Sequence, residues 1–392
     1  MSTAPVTEID PGPDWFEPES APPRPRWWGP GAVFVAVRLA GVLILAGIGA
    51  ANGKSLIPTL HAWDGNWYLR IAATGYSALS VGLDAHGNAA VDTTMAFFPG
   101  YPVAISLLGA LTHLPPIAAG LLISAVAGIT AAYGISRLCH LLNYPQWTGM
   151  IGVALFAATP MSVTLSMVYT EALFTALAIW ALVGIVRQNW LAAAICCGFA
   201  GLVRPSAAVL VAVLGVALVV SVARGRSHPA ALLYLVAGAS GLAGYYAFVV
   251  NRTDNLAGWF VLQKAGWGTA FDFGKDSATF AWTVLTSDAP LMETLNVVSM
   301  LGAVALAVIA VRERLPWPLA AHGIGIVVMT IGSSGVTYSK MRLLVPAATL
   351  LIPVAAGLAR RRPGTIIAVL AAVAVLGGWI GAYALTDWRY AI

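Results

Sequence analysis

The chain has 392 residues, of which 59% are hydrophobic and only 9% are charged, and its mean hydropathy is +0.81. A soluble domain carries about a quarter charged residues, so this composition excludes a soluble enzyme, a disulfide scaffold and a nucleic-acid-binding protein. The net charge of +5 comes from short basic clusters between apolar runs, as expected for an all-α polytopic membrane protein. The three cysteines lie in or beside apolar runs and predict neither a disulfide nor a metal site.

Two regions are expected along the chain. Residues 1–29 are rich in proline and acidic residues, which predicts a disordered cytoplasmic tail. Residues 30–392 are expected to form the membrane domain, interrupted by long polar stretches at 52–100 and 252–292. Its apolar runs cover 32–51, 101–114, 117–138, 147–163, 168–186, 190–204, 206–223, 229–250, 293–311, 316–333, 340–358 and 364–385.

The arginines between the apolar runs predict the topology, because short basic connections face the cytoplasm. They place the stretch 252–292 and the C-terminus outside. With the acidic, proline-rich N-terminal tail inside, the stretch 52–100 also lies outside. The run 101–114 is too short to cross a hydrocarbon layer of about 30 Å, so it is predicted to be a re-entrant or interfacial helix on the extracytoplasmic side. About eleven spans of a multi-pass cell-membrane protein remain. The arginines are Arg137, Arg187, Arg224, Arg226, Arg312, Arg314, Arg360, Arg361 and Arg362.

The first polar stretch carries the most informative acid, Asp64. Apolar residues recur after it at helical spacing up to Thr74, which predicts an amphipathic helix in the membrane interface. Two hypotheses remain open for Asp64: it is a functional carboxylate, or it only caps this helix. Aromatic residues that suit a sugar or a lipid headgroup surround it, namely Trp63, Trp67, Tyr68 and Tyr76.

Four further charged residues stand at membrane edges on the predicted outer side. Glu171 begins an apolar run and is either an interhelical strut or a substrate contact. Arg204 is a cation on the predicted outer side, contrary to the positive-inside rule, so it is expected to have a partner such as Glu171 or a phosphate. Lys340 and Arg342 flank a single residue. They are predicted to bind a phosphate or pyrophosphate headgroup, with anchoring to anionic lipids as the alternative.

The second polar stretch adds Gln263, Lys264 and Trp267, a polar and aromatic set on the same predicted side. The histidines have no metal-ligand spacing, and the acidic residues form no cluster in the sequence. No metal or other cofactor is therefore predicted.

Several segments together resemble one known family. The first motif, Trp63-Asp64 followed by Ile71-Ala-Ala-Thr-Gly-Tyr76, resembles the PIG-V-like family, the GPI mannosyltransferase II group of the GT-C glycosyltransferases. Tyr68 departs from the Phe that is common there. Further matches are Ala96-Phe-Phe-Pro-Gly-Tyr-Pro102, Tyr169-Thr-Glu-Ala-Leu-Phe174, Gly201-Leu-Val-Arg-Pro205, Arg342-Leu-Leu-Val-Pro346 and, typical of bacterial (actinobacterial) members, the stretch from Trp259 to Gly268.

This resemblance implies a GT-C fold and an inverting glycosyltransferase. The enzyme would move a sugar, mannose by resemblance, from a polyprenyl-phosphate donor to a lipid-linked or glycan acceptor on the extracytoplasmic face, in contact with membrane lipids. Asp64 would be the general base. The phosphate-binding candidates are Arg204, Lys340 and Arg342. The substrate-binding candidates are Trp63, Trp67, Tyr68, Glu171, Gln263, Lys264 and Trp267.

Two alternatives remain open. The first keeps the fold and changes the donor to another polyprenyl-phosphate sugar, such as a pentose. A lipid or solute transporter is the alternative from another class, although transporters place charged groups near the bilayer midplane and use paired broken helices. The sequence shows neither feature, because its polar residues concentrate at one predicted face.

Overall fold

The computed structural model describes residues 29–76, 82–83, 89–90, 93–335 and 337–392. The predicted cytoplasmic tail lies outside these residues, except for Gly29 at the start of the first helix. Regular structure in the described part is almost entirely helical. Two-residue strands, β1 (Gly82–Leu83) and β2 (Ala89–Ala90), pair antiparallel. The all-α fold class is confirmed.

Seventeen α-helices lie in the described residues, joined in places by short 3₁₀ turns. They are α1 (Gly29–Ala51), α2 (Leu56–Thr59), α3 (Asp64–Thr74), α4 (Gly100–Thr112), α5 (Pro116–Leu141), α6 (Gln146–Ala158), α7 (Glu171–Val186), α8 (Trp190–Gly201), α9 (Ala207–Ala223), α10 (Leu233–Thr253), α11 (Gly258–Trp267), α12 (Lys275–Thr286), α13 (Leu291–Arg312), α14 (Trp317–Ile331), α15 (Lys340–Leu343), α16 (Leu351–Ala359) and α17 (Pro363–Thr386). The 3₁₀ turns are Thr93–Ala96, Ser162–Ser166, Pro229–Leu232, Thr337–Ser339 and Val345–Leu350.

Two predicted runs are broken rather than continuous. The run 147–163 ends as a helix at Ala158, because Pro160 forces the preceding Thr159 into an extended conformation with ψ of 152°. The run 340–358 is split into α15, a 3₁₀ turn that contains Pro346, and α16, with a bend of 49°. Proline lacks the backbone N–H that a continuous helix needs. The second break follows α15, which carries Arg342 of the site described below.

Helix length separates the apolar helices into two groups. In the described part of the chain, five are long and apolar enough to cross a membrane, and the bent pair around Pro346 makes a sixth. Six shorter apolar helices, α4, α6, α7, α8, α9 and α14, have 10–17 residues. At 1.5 Å per residue, 17 residues extend about 26 Å, less than the roughly 30 Å of a hydrocarbon layer. The chain is a multi-pass helical membrane protein, and the number of eleven spans stays a prediction.

Glycines allow α8 and α10 to approach each other closely. A Cβ added to Gly241 of α10 would overlap the carbonyl of Gly198 on α8, and a Cβ on Gly201 would overlap the backbone nitrogen of Leu242. Small residues commonly permit such backbone contacts between membrane helices. This crossing holds the end of α8, which leads into Arg204. On its other side, α8 packs against the buried helix α7.

Candidate active site

Four charged side chains from separate segments form one cluster. Arg342 Nη2 lies 2.5 Å from Asp64 Oδ2, and Arg342 Nη1 lies 3.6 Å from Glu171 Oε1. Arg204 Nη1 lies 2.7 Å from the same Glu171 oxygen. The charges therefore alternate along the chain of contacts, and the formal charge of the four groups sums to zero.

The cluster is closed at one end and partly open at the other. The Glu171 side chain is 0% exposed, whereas Asp64 is 16% exposed and both arginines are 11% exposed. Within the described part of the chain, Glu171 Oε2 and Arg342 Nε have no hydrogen-bond partner. A buried polar atom without a partner costs about 1–3 kcal/mol. These two atoms, unsatisfied among the described residues, mark the cluster as a candidate binding site.

The start of α3 places the Asp64 carboxylate. Asp64 is the first residue of α3, and the N-cap position is held by Trp63, which makes no side-chain cap. Trp63 has φ of 58° and ψ of −118°, a conformation that costs a non-glycine residue about 1–3 kcal/mol. Asp64 therefore does not occupy the capping position, and its carboxylate pairs with Arg342 instead.

Tyr169 supports both members of this pair. Its hydroxyl donates to the carbonyl of Ala62 at 3.1 Å, two residues before Asp64. The guanidinium of Arg342 lies 5.2 Å from the centre of the Tyr169 ring, a cation–π contact. The sequence interpretation noted the motif that contains Tyr169 but not its role. The one signal available was its position two residues before the buried acid Glu171.

Thr170 connects the cluster to the aromatic residues of α3. Its hydroxyl accepts a hydrogen bond from Arg204 Nη1 at 3.0 Å and lies 3.4 Å from the Tyr68 hydroxyl. Burial raises the pKa of Tyr68, and the negative charge of Asp64 raises it further. The phenol therefore stays protonated at neutral pH and is not a proton acceptor. Thr170 was also missed from the sequence.

An aromatic wall stands beside Asp64. Trp67, three residues after Asp64 and so on the same side of α3, stacks on Phe97 with ring centres 5.6 Å apart. Trp267 at the end of α11 meets Phe97 edge-on, with ring centres 5.4 Å apart. Phe97 is buried, whereas Trp67 and Trp267 are partly exposed, and flat rings of this kind pack well against the C–H faces of a sugar ring. We call Trp67, Phe97 and Trp267 the aromatic wall.

Side chains of α10 and α11 fix the backbone of this wall. Gln263 Nε2 donates to the carbonyl of Ala96 at 3.1 Å, and Trp259 Nε1 donates to the same oxygen at 3.3 Å. The Tyr245 hydroxyl donates to the carbonyl of Phe97 at 2.8 Å. Two motifs that are far apart in the sequence therefore build one surface. Gln263 supports this surface by bonding to the backbone of Ala96, and it does not itself form part of the aromatic face.

The structure also shows why the motif from Ala96 to Pro102 contains a glycine, Gly100. Its N–H donates to the carbonyl of Leu202 at 2.7 Å, and a Cβ on Gly100 would lie 2.8 Å from that oxygen. No larger residue fits without moving the backbone. The contact ties the start of α4 to the turn after α8, two residues before Arg204. The motif thus helps to position a cation of the cluster.

Three candidate residues lie apart from the ion cluster. The Lys340 ammonium, on a residue that is 2% exposed, bonds to the Ser277 hydroxyl and, at 2.7 Å, to the carbonyl of Ser333. It links α12 to the end of α14. Lys264 is exposed, and Trp63 is 40% exposed. In the residues that the structure describes, no three His, Cys, Asp or Glu side chains are grouped as metal ligands.

Comparison with solved structures identifies the fold. ArnT from Cupriavidus metallidurans bound to undecaprenyl phosphate matches 89% of this chain with a TM-score of 0.52 at 16% identity. Its apo structure matches 88% with a TM-score of 0.51 at 18% identity. The chain has the GT-C type fold. At this identity the similarity concerns the fold, and the chain spans 64% and 63% of the two ArnT chains.

A further solved structure is similar to a lower degree. The oligosaccharyltransferase of Archaeoglobus fulgidus in its apo form matches 94% of this chain and 57% of its own, with a TM-score of 0.48 at 14% identity. No family profile matches the chain, and no curated protein matches its sequence.

Proposed function

We propose that the protein is an inverting glycosyltransferase. It moves a sugar from a polyprenyl-phosphate donor to a hydroxyl of a lipid-linked or glycan acceptor on the extracytoplasmic face. The observation that carries this proposal is the contact between Asp64 and Arg342 beside the aromatic wall. A proton acceptor and a cation for a phosphate stand within reach of one sugar unit.

The reaction is a single displacement. Asp64 takes the proton of the acceptor hydroxyl while that oxygen bonds to the anomeric carbon from the face opposite the phosphate. The bond from that carbon to the phosphate oxygen breaks, and its electron pair stays on the lipid phosphate. Arg342 and Arg204 offset the charge that develops there. A positioned base contributes about 10²- to 10⁴-fold to the rate.

An apolar groove supports a lipid-linked donor. It has a volume of about 510 Å³ and runs between α4, α5, α7 and α8. Leu173, two residues after Glu171, lines it, and so does Trp180, about two turns further along α7. The groove lies along the same helix that Glu171 begins, and its apolar lining suits part of a polyprenyl chain. The binding of undecaprenyl phosphate to ArnT supports the same class of lipid.

The sugar is proposed to be mannose. This step rests on the resemblance of the Trp63-Asp64 and Ala96 to Pro102 motifs to the PIG-V-like family. We offer polyprenyl-phosphate-pentose as the alternative donor, which would use the same base and the same phosphate contacts.

A donor panel tests the proposal. The purified protein in lipid nanodiscs is incubated with acceptor membranes and radiolabelled polyprenyl-phosphate-mannose, polyprenyl-phosphate-glucose or polyprenyl-phosphate-pentose. We expect transfer from the mannose donor, with inversion at the anomeric carbon. Transfer from the pentose donor alone would change the sugar but keep the mechanism. An absence of transfer and of polyprenyl-phosphate binding would reject the proposed function.

A further inference from the structure

The two groups assigned to base and phosphate binding are bound to each other. Arg342 Nη2 contacts Asp64 Oδ2 at 2.5 Å. While this contact lasts, Asp64 Oδ2 is not available to an acceptor hydroxyl and Arg342 Nη2 is not available to a phosphate. If these two atoms act in transfer, the pair must open during the reaction.

The two carboxylates of the cluster are held unequally. Glu171 has a second cation, because Arg204 Nη1 lies 2.7 Å from its Oε1, closer than Arg342 Nη1 at 3.6 Å. The ion pair that Asp64 forms within the described residues is with Arg342. Asp64 also stands at the more exposed end, with 16% of its side chain exposed against 0% for Glu171. An incoming anion therefore displaces Asp64 before Glu171.

Charge balance favours such a displacement. Two carboxylates neutralise two guanidiniums, so a phosphate that merely joined the cluster would meet no net positive charge. When Asp64 leaves Arg342, the remaining groups around the phosphate carry a net charge of +1, which matches a phosphodiester. Arg342 stays in place meanwhile, because the Tyr169 ring and Glu171 still contact it.

We propose that the donor phosphate displaces Asp64 from Arg342, so that the base is released only when the donor is bound. This inference rests on the proposed function and adds an order to it: the donor binds before the acceptor. An acceptor that arrives first meets a carboxylate already paired with a guanidinium. The displacement exchanges one ion pair for another and makes no covalent bond.

Phosphate-lipid binding tests the competition directly. Undecaprenyl phosphate is titrated into the protein in nanodiscs, for the wild type and for Asp64→Asn. We expect the variant to bind about tenfold more tightly, equivalent to about 1.4 kcal/mol, because the competing carboxylate is gone. Asp288→Asn, which removes one exposed acid far along the chain, is the matched control and should bind like the wild type.

A double-mutant cycle identifies the partner in the competition. In an Arg342→Gln background, Asp64→Asn should bring no tightening, since the contested guanidinium is absent. Unchanged or weaker binding by Asp64→Asn with a normal melting curve would overturn the inference, because Asp64 would then only support Arg342. If Asp64→Asn does not fold, Asp64→Ser gives the same comparison.

The outcomes separate this inference from the proposed function. The titration needs no sugar transfer, so tighter binding by Asp64→Asn supports the competition whatever its catalytic rate. Tightening that persists in the Arg342→Gln background would contradict the assigned partner. A wild type that does not bind undecaprenyl phosphate would reject the proposed function, and the inference would fall with it.

Discussion

Asp64 combines three features at one position: partial exposure, an ion pair with Arg342 and a neighbouring aromatic wall. Asp64→Asn keeps the shape of the side chain but cannot accept a proton. We expect transfer to fall by about 10²- to 10⁴-fold, while the melting temperature stays near that of the wild type. The rate is measured with donor lipid and acceptor membranes, with Asp288→Asn as the control. Near-normal turnover would assign the proton acceptor role to Glu171.

Trp63 is the strained residue of the site, with φ of 58°. Trp63→Gly removes the ring and permits this conformation, whereas Trp63→Ala removes the ring and keeps the strain. We expect Trp63→Gly to be more stable than Trp63→Ala by about 1 kcal/mol or more. Both should raise KM if the ring contacts substrate. Thermal unfolding and transfer assays check the two effects separately. Equal stability of the two variants would show that the backbone relaxes without cost.

The individual charged residues could be predicted from the sequence, and so could the contact of Arg204 with Glu171, which the structure shows at 2.7 Å; the two contacts of Arg342 could not. An acid at the start of an apolar run, as at Glu171, is expensive in a membrane and therefore noticeable. That Arg342 stands between Asp64 and Glu171 depends on the packing of α3, α7 and α15, which no local pattern encodes. For the same reason Lys340, two residues from Arg342, was predicted to share its phosphate, whereas its ammonium bonds to Ser277.

At the scale of elements, the apolar runs predicted the helices well, because an apolar helix can be recognised from composition and length alone. The break after α6 was readable from Pro160 but was overlooked. Tertiary contacts stabilise that break: Arg38 of α1 donates to the carbonyl of Ala157 at 2.8 Å and to the Ser162 hydroxyl at 2.7 Å. These contacts place the segment that ends in Glu171. A buried arginine in the first apolar run was their only sequence signal.

The link between α11 and the aromatic wall can be tested through Gln263. Gln263→Leu keeps the approximate volume but loses the hydrogen bond to the carbonyl of Ala96. A hydrogen bond of this kind contributes about 0.5–1.5 kcal/mol, so we expect KM for the donor to rise about two- to tenfold with little change in kcat. Asp288→Asn, at an exposed position outside the candidate site, is the control. An unchanged KM would show that Trp259 and Tyr245 hold the wall without Gln263.

The connection between α12 and α14 can be tested through Lys340. Lys340→Met removes the ammonium that bonds to Ser277 and to the carbonyl of Ser333. If Lys340 joins these elements, unfolding should become easier by about 1–3 kcal/mol and the affinity for undecaprenyl phosphate should be kept. The opposite result, normal stability with weakened lipid binding, would restore Lys340 as a phosphate ligand. Melting curves and lipid titration on one preparation decide between them.

At the scale of the whole molecule, the proposed chemistry needs the ion cluster on the extracytoplasmic side. The sequence predicts this side from the arginines of short connections, since cytoplasmic loops carry an excess of basic residues. The fold alone fixes no orientation in a membrane. The proposed reaction at Asp64 with a lipid-carried donor on the outer leaflet therefore depends on the predicted topology.

Cysteine labelling of intact cells tests this orientation. Cys139, Cys196 and Cys197 are first replaced by alanine, and one exposed position is then changed to cysteine in Lys54→Cys, Ser287→Cys or Arg361→Cys. Lys54 follows α1 and reports the side of the segment that leads to Asp64. An impermeant maleimide should label Lys54→Cys and Ser287→Cys at once, and Arg361→Cys only after permeabilisation. Protection of Lys54→Cys in intact cells would place the cluster on the cytoplasmic face, where a lipid-carried donor on the outer leaflet cannot reach it.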